Sequence, residues 1–498
     1  MSSGAPVLLA IDQGTTSSRA IIFSRLGKPL TTAQKELELF YPHDGWVEQD
    51  AAAIWDDVLQ VTREAASKAS GPIAGIGITN QRETTVIWDR QTGEPLYHAI
   101  VWQDRRTADI CSRLKKEGHE PHVTEVTGLL LDPYFSATKI GWILDHVKGA
   151  RERAENGELA FGTMECWLVW KLTNGKHHIT DVTNASRTML MNLETGAWDD
   201  GMLELFNIPK SLLPEIVPNC GDFGETDLIL PGHTLSICGM AGDQQAALIG
   251  QACFHEGMVK ATYGTGCFAL INTGTTRPTS TNRLLATCAY DLGEGGGGRH
   301  YALEGAIFVA GAAIQWLRDQ MKFFANAAES EALAKSANQE TNVMFVPAFT
   351  GLGAPYWDPH ARAALFGLTR EAGQAEITLA ALEAQGFQSR DLKTAMEADT
   401  GLSSALWRVD GGLVANSLMC QRLADITGTT IEVTSVPEST ALGAAFLAGL
   451  QTGVFQSLSD IENVWQASKS YKPQPMSDSL QRKTERWAKA VSAVQTVA

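Results

Sequence analysis

Asp12-Gln-Gly-Thr-Thr-Ser-Ser-Arg19 joins two apolar runs, residues 7–11 and 20–23, that read as strands. One carboxylate, one glycine, four hydroxyls and a guanidinium in a strand-to-strand turn suit a metal-bound polyphosphate. Gly14 lets the backbone approach closely, and Thr15, Thr16 and Ser17 supply O–H and N–H donors. Asp12 can hold Mg2+ directly or through water, and Arg19 can offset phosphate charge. An ordinary hairpin uses the same residue types to satisfy itself, so the turn gains meaning only from the rest of the chain. It is not a P-loop: no Gly-x-x-x-x-Gly-Lys-[Ser/Thr] occurs, and the residues after Arg19 continue as a strand. Nor does any strand lead into a Gly-x-Gly-x-x-Gly that opens a helix, as a dinucleotide site requires.

A second turn, Tyr263-Gly-Thr-Gly-Cys267, lies between the apolar runs 257–263 and 267–272, where Thr265 can clasp the same polyphosphate from the opposite side. A third cluster, Val409-Asp-Gly-Gly-Leu-Val-Ala-Asn416, reads as strand, Gly-Gly turn and helix. Such a turn lets a flat ring lie against the backbone while Asn416 hydrogen-bonds it. A Gly/Thr hairpin near the start of each half suggests an internal duplication with a boundary near residue 253. Further strands are expected at 73–78 and 85–88 around the polar loop Asn80-Gln-Arg-Glu-Thr84, and at 235–239 and 405–409. Helices are expected at 50–67 with Asp50 as cap, 105–116, 136–146, 243–252, 306–317, 374–399, 413–427, 440–450 and 479–494. Residues 293–298 should form a flexible hairpin tip. Strands alternating with amphipathic helices place the chain in the α/β class.

Forty Lys plus Arg against fifty-six Asp plus Glu leave 498 residues with a net charge of −16 and no block of five like charges. Nucleic-acid and anionic-membrane partners need clustered cations and are not expected. The eight cysteines lie at least fourteen residues apart with no Cys-x-x-Cys, so neither a zinc site nor a disulfide scaffold is expected, and buried free thiols fit a reducing cytoplasm. Residues 1–6 lack the basic and apolar regions of a secretion signal, and the most apolar helical stretch, 306–316, is about half the length that spans a bilayer.

Taken in order, the three clusters resemble those of the actin/Hsp70/sugar-kinase ATPase superfamily and, within it, the FGGY carbohydrate kinases. Asn80-Gln-Arg-Glu83, Asp132-Pro-Tyr-Phe135, Gly242-Asp-Gln-Gln-Ala-Ala247, Tyr263-Gly-Thr-Gly-Cys-Phe268 and Phe349-Thr-Gly-Leu-Gly-Ala-Pro-Tyr-Trp-Asp358 narrow the resemblance to the glycerol-phosphorylating branch, over about residues 7–450. It implies two actin-like (ribonuclease H-like) domains, 1–253 and 254–498, with a nucleotide cleft between them. ATP and Mg2+ are the implied nucleotide and metal, glycerol is the implied acceptor, and a homo-oligomer of two or four copies is implied. The resemblance assigns Arg82, Glu83, Tyr134, Asp243 and Gln244 to the glycerol hydroxyls, with Trp102 and Phe268 against its carbons. Thr15, Thr16, Ser17 and Arg19 go to the phosphates with Thr265, Gly311 and Gln315 opposite, and Gly412 and Asn416 flank adenine and ribose. Asp243 is the implied general base, and with Asp12 a candidate metal ligand.

Some bacterial members of the family carry a Gly-Gly-x-x-Gly-x-Arg loop that binds fructose 1,6-bisphosphate. Here the stretch reads Asp227-Leu-Ile-Leu-Pro-Gly-His-Thr234, without that arginine or the paired glycines, so such feedback is not expected. Two other readings stay open on residues alone: a kinase of a larger polyol or ketose such as xylulose, and a filament-forming or chaperone ATPase with no acceptor site.

Overall fold

The computed structural model describes residues 4–293 and 295–497. Met1–Ser3 of the N-terminal segment and Glu294 within the expected 293–298 tip lie outside the described residues. Two mixed sheets organise the chain. The first runs in the order Glu225–Leu230, His233–Gly242, Ile73–Asn80, Val7–Gln13, Ser17–Ser24 and Pro29–Glu36. The second runs Leu285–Asp291, Arg299–Ile307, Cys267–Gly274, Val259–Tyr263, Leu406–Asp410, Thr430–Thr434 and Ala467–Tyr471.

Each sheet grows from one strand in the same way. Val7–Gln13 pairs antiparallel with the strand that follows its turn and parallel with Ile73–Asn80, which in turn is parallel to His233–Gly242. Val259–Tyr263 pairs antiparallel with Cys267–Gly274 and parallel with Leu406–Asp410, followed in parallel by Thr430–Thr434. Val7–Gln13 is buried along its whole length, which explains its unbroken apolar run: a central strand covered on both faces shows no alternation.

Asp50 caps Ala51–Ser67, its Oδ1 accepting from the N–H groups of Ala52 (2.9 Å) and Ala53 (3.1 Å), and the helix buries Ile54, Val58, Val61 and Ala65 against the first sheet. Gln374–Thr400 and Ser417–Thr427 share the core of the second sheet. Ser439–Gln451, although late in the chain, packs on the first sheet, with Leu442 and Phe446 against Leu8, Ala10, Ile21 and Phe23. It crosses Asp243–Gly250 at two glycines. A Cβ on Gly250 would stand 1.9 Å from the Ser439 carbonyl oxygen, and one on Gly443 would stand 1.8 Å from that of Ala246. No side chain fits at the crossing.

Three expectations need correction. The apolar stretch 306–317 is not one helix: Arg299–Ile307 is a strand and Gly311–Asp319 the helix, because an apolar run has no period to separate the two. The helix expected from 413 is a 3-10 turn, Gly412–Ala415, followed by Ser417–Thr427, which Asn416 caps by accepting from Met419 N–H at 3.0 Å. The strand expected to end at 239 continues to Gly242, whose N–H is held by Thr183 Oγ1 at 2.9 Å, so Asp243 opens its helix from inside as its first residue. All eight cysteines are free, and among the described residues no helix is long and apolar enough to cross a membrane.

Candidate active site

Gln13, Asn80 and Gly242 are register partners at the carboxyl ends of three parallel strands. The residues leaving each strand therefore lie along one sheet edge, where open α/β sheets bind ligands. In chain order they are the Gly14-Thr-Thr turn, the Gln81-Arg-Glu loop and Asp243.

Arg82 is the hub of the expected acceptor end, and it is only 2% exposed. Its Nε lies 3.2 Å from Asp243 Oδ1, and its Nη2 donates to Tyr134 OH at 3.4 Å. Its Nη1 donates to Gln245 Oε1 at 3.1 Å. Both terminal nitrogens also meet Glu304 of the second sheet, at 2.6 and 3.0 Å. Arg187 completes the cluster, donating to Glu83 Oε1 at 2.7 Å and to Glu304 Oε1 at 3.0 Å. Two guanidinium groups and two carboxylates are thus buried together and neutralise one another, which is the condition under which buried charge is tolerated.

Glu83 has φ +61°, the left-handed region that costs a non-glycine residue about 1–3 kcal/mol unless its surroundings impose it. Its carbonyl accepts from Ser136 Oγ at 3.0 Å and from Lys139 Nζ at 3.3 Å. The same ammonium donates to the carbonyls of Tyr134 (2.5 Å) and Phe135 (3.3 Å). Lys139 therefore ties the two acceptor loops together, and burial lowers its pKa to about 8.

Trp102 bridges the ends of the site: its ring meets Tyr134 edge-on at 5.6 Å, and its Nε1 donates to Thr15 Oγ1 at 2.9 Å. Gln244 Oε1 accepts from Lys260 Nζ. Lys260, Leu270 and Glu304 form one cross-strand row, as do Thr262, Phe268 and Ala306. Directly paired residues share a face, so the half-buried Phe268 lies on the face through which Lys260 and Glu304 reach the first half of the chain.

Charge is unevenly settled here. Burial raises the Asp243 pKa, while Arg82 and Lys260 pull it down. Burial also pushes Glu304 upward, but Arg187 and Arg82 outweigh it and hold the carboxyl at about 2. Burial raises Asp12 against the pull of Arg19.

The expected nucleotide end is built differently. Thr16 and Thr265 stand exposed at the tips of their turns, with Thr15 and Ser17 half-buried. Gly311 N–H donates to Gly264 carbonyl at 2.9 Å, and the N–H groups of Ala310 and Ala312 bond to Thr265 carbonyl at 2.9 and 3.0 Å, docking a helix start onto the second turn. A Cβ on Gly311 would stand 2.5 Å from Gly264 O, so this close approach accounts for the glycine. Gln315 is exposed on the same helix. Gly412 has open space beside it, whereas Asn416 spends its side chain on the helix cap and on Ser330 Oγ at 3.3 Å. Arg19 bridges Asp12 (2.7 Å) and Glu438 (2.5 Å), so both its terminal nitrogens are engaged within the protein.

Asp12 and Asp243 supply hard carboxylate oxygens at the same strand ends, two strands and so about 10 Å apart. Among the described residues no group of three or more His, Cys, Asp and Glu side chains gathers as a metal cage. That donor set fits Mg2+, which is commonly held through one or two carboxylates with water and substrate phosphates.

Sequence reading missed Glu304, Arg187, Gln245, Lys139 and Lys260. Two of them carried a signal: Lys260 is the one charge in Val259–Tyr263, Glu304 interrupts the otherwise uncharged run 301–307, and a charge in such a run is buried only with a partner.

Two domain models span the chain: the N-terminal domain of the FGGY family of carbohydrate kinases matches residues 7–250, and its C-terminal domain matches 259–452. A glycerol kinase from Nitrosomonas eutropha is 56% identical over 98% of each chain. One from Rhodospirillum rubrum is 55% identical, over 98% of this chain and 99% of its own. The crystal structure of Plasmodium falciparum glycerol kinase with ADP superposes with a TM-score of 0.94 at 36% identity, covering 98% of both chains. A xylulose kinase from Lactobacillus acidophilus superposes at 0.87 with 23% identity over 99% of this chain and 97% of its own, a likeness of fold alone.

Proposed function

Because the chain belongs to the FGGY family of carbohydrate kinases, we propose that its acceptor end binds glycerol and its turns bind ATP. The reaction is ATP-dependent phosphorylation of glycerol to sn-glycerol 3-phosphate. The full-length identity to glycerol kinases supports this substrate over xylulose, whose kinases share only the fold. The observation that carries the site assignment is the convergence of Asp243 and Tyr134 on Arg82, beside Trp102. A three-carbon triol offers hydroxyls to the first three groups and C–H surface to the indole and to Phe268.

Asp243 acts as general base in this reading. Its carboxylate takes the proton of the terminal hydroxyl as that oxygen bonds to the γ-phosphorus of ATP and the bond to ADP breaks in line. The hydroxyl's own pKa lies far above 7, so the proton leaves during transfer and no free alkoxide precedes it. Arg82 and Lys260 oppose the upward shift that burial imposes on the Asp243 carboxyl and so favour its proton-accepting form. Glu83, Tyr134 and Gln244 orient the acceptor. Thr15, Thr16, Ser17 and Thr265 donate to the phosphates, with Arg19 turning from Asp12 and Glu438 to join them, and Gly412 and Asn416 border the base and ribose. Asp12 and Asp243 would hold Mg2+, which supplies neutralisation of phosphate charge. The same family resemblance supports a cytoplasmic homo-oligomer of two or four copies, which light scattering on the purified protein would measure.

An ADP-release assay with glycerol, xylulose, erythritol and water tests the acceptor. Stimulation by glycerol well above the other three is expected; equal release with all four, or none, overturns the reading.

A further inference from the structure

Arg82 and Arg187 are both buried at the acceptor end, and a pair of forked guanidinium groups is the usual device for capturing a carboxylate or phosphate. Here most of that capacity is spent within the protein, while Arg187 Nη1 stays buried without a hydrogen-bond partner. Glu304 accepts from Arg82 at 2.6 and 3.0 Å and from Arg187 at 3.0 Å, while Glu83 takes the Arg187 Nε at 2.7 Å. Three positive side chains, Arg82, Arg187 and Lys260, stand against three negative ones, Glu83, Glu304 and Asp243, the last 3.2 Å from Arg82, and leave the cluster neutral. Glu304 comes from the second sheet, 222 residues along the chain from Arg82.

We propose that Glu304 is a specificity-determining residue: by engaging both guanidinium groups from the second sheet and cancelling one of their charges, it makes the acceptor pocket one for neutral polyols and disfavours anionic three-carbon ligands. The discrimination acts twice. Acids of the same size, such as glycerate, are excluded from the acceptor position. The phosphorylated product, an anion once transfer is complete, meets no net positive charge on the acceptor side and is released. Without Glu304 the cluster would carry one uncompensated positive charge where the acceptor binds.

The inference rests on the glycerol reading above, and the test separates the two. Wild type, Glu304→Gln, Glu304→Asp and Arg187→Gln are compared for glycerol KM and kcat, and for inhibition by D-glycerate and by sn-glycerol 3-phosphate. One unit charge at contact range in a partly hydrated site predicts that Glu304→Gln binds both anions about tenfold more tightly relative to its glycerol KM. Glu304→Asp, which keeps the charge on a shorter arm, should raise glycerol KM while keeping the wild-type anion ratio. Arg187→Gln, which tips the cluster negative, should weaken anion inhibition, and it gives the opposite sign should Glu304→Gln fail to fold. A purely structural role would lower activity in all three without moving the ratio in opposite directions. An anion-to-glycerol ratio unchanged in both Gln variants overturns the proposal, whereas a wild type without glycerol-dependent ADP release overturns the glycerol reading instead.

Discussion

The two ends of the cleft reach a fixed geometry by opposite means. The acceptor end is made of side chains: Arg82, Glu83, Arg187 and Glu304 are each at most 2% exposed and hold one another before any ligand arrives. The nucleotide end is made of missing side chains, with Gly266, Gly311 and Gly411 letting backbone run against backbone and Thr16 and Thr265 standing exposed at the turn tips. A small neutral acceptor has little binding energy to organise its own pocket, so the pocket is organised in advance. A polyphosphate carries enough charge to draw its donors into place, so the turns need only make room.

The hardest break is at Asp243. Asp243→Asn should lower kcat by about two to four orders of magnitude, the range for loss of a general base, with ATP KM within about threefold of wild type. Rapid-quench measurement of the transfer step checks this; near-normal turnover removes the base assignment. The pH profile sharpens it. Burial raises the Asp243 pKa and only the ionised form accepts a proton, so activity should be complete above that raised value and fall as pH drops through it. The acid limb of kcat should lie above the ordinary carboxylate range and vanish in the Asn variant.

Next comes Arg82→Met, which leaves Glu304 and Glu83 short of a cation. Such unpairing costs about 3–5 kcal/mol of stability, read by denaturant midpoint, and glycerol kcat/KM should fall by at least about a thousandfold. At the nucleotide end the damage should be selective. Gly411 has φ +95° and its Cβ would lie 2.4 Å from Tyr263 O. Gly411→Ala is expected to raise ATP KM by about tenfold at unchanged glycerol KM; an equal rise in both would mean that the two ends are not built independently. The smallest effect is expected from Glu438→Gln, which frees Arg19 from a half-exposed pair worth at most about 1 kcal/mol, and ATP KM should fall by less than about threefold.

The turns were legible in the sequence because their chemistry is local: Gly-Thr-Thr between two apolar runs keeps its meaning wherever the chain goes. Arg82-Glu83 was legible as a polar pair between strands, but not as a buried one. Its burial depends on Glu304 and Arg187, 222 and 104 residues away from their partners, and no spacing rule connects such positions. Lys139 lies close in sequence to Tyr134 and Phe135 but 56 residues from Glu83, and it reads as an ordinary helical lysine until the carbonyls of both loops are seen converging on its ammonium. The start of the 311–319 helix was misplaced because strand and helix are equally apolar there, and the docking of Gly311 onto Gly264 that marks the boundary is a tertiary event.

At the helix crossing, Gly250 faces Ser439 and Gly443 faces Ala246, four residues apart on each helix. Each helix thus offers its partner the same surface that it receives, the self-complementary relation of identical subunits about a two-fold axis. The chain in this respect contains its own dimer, with one connection out of each sheet as the shared contact. A methyl group added at Gly443 would therefore press on the Ala246 carbonyl and the Gly250 N–H at once, and the strain would fall on both helices of the pair.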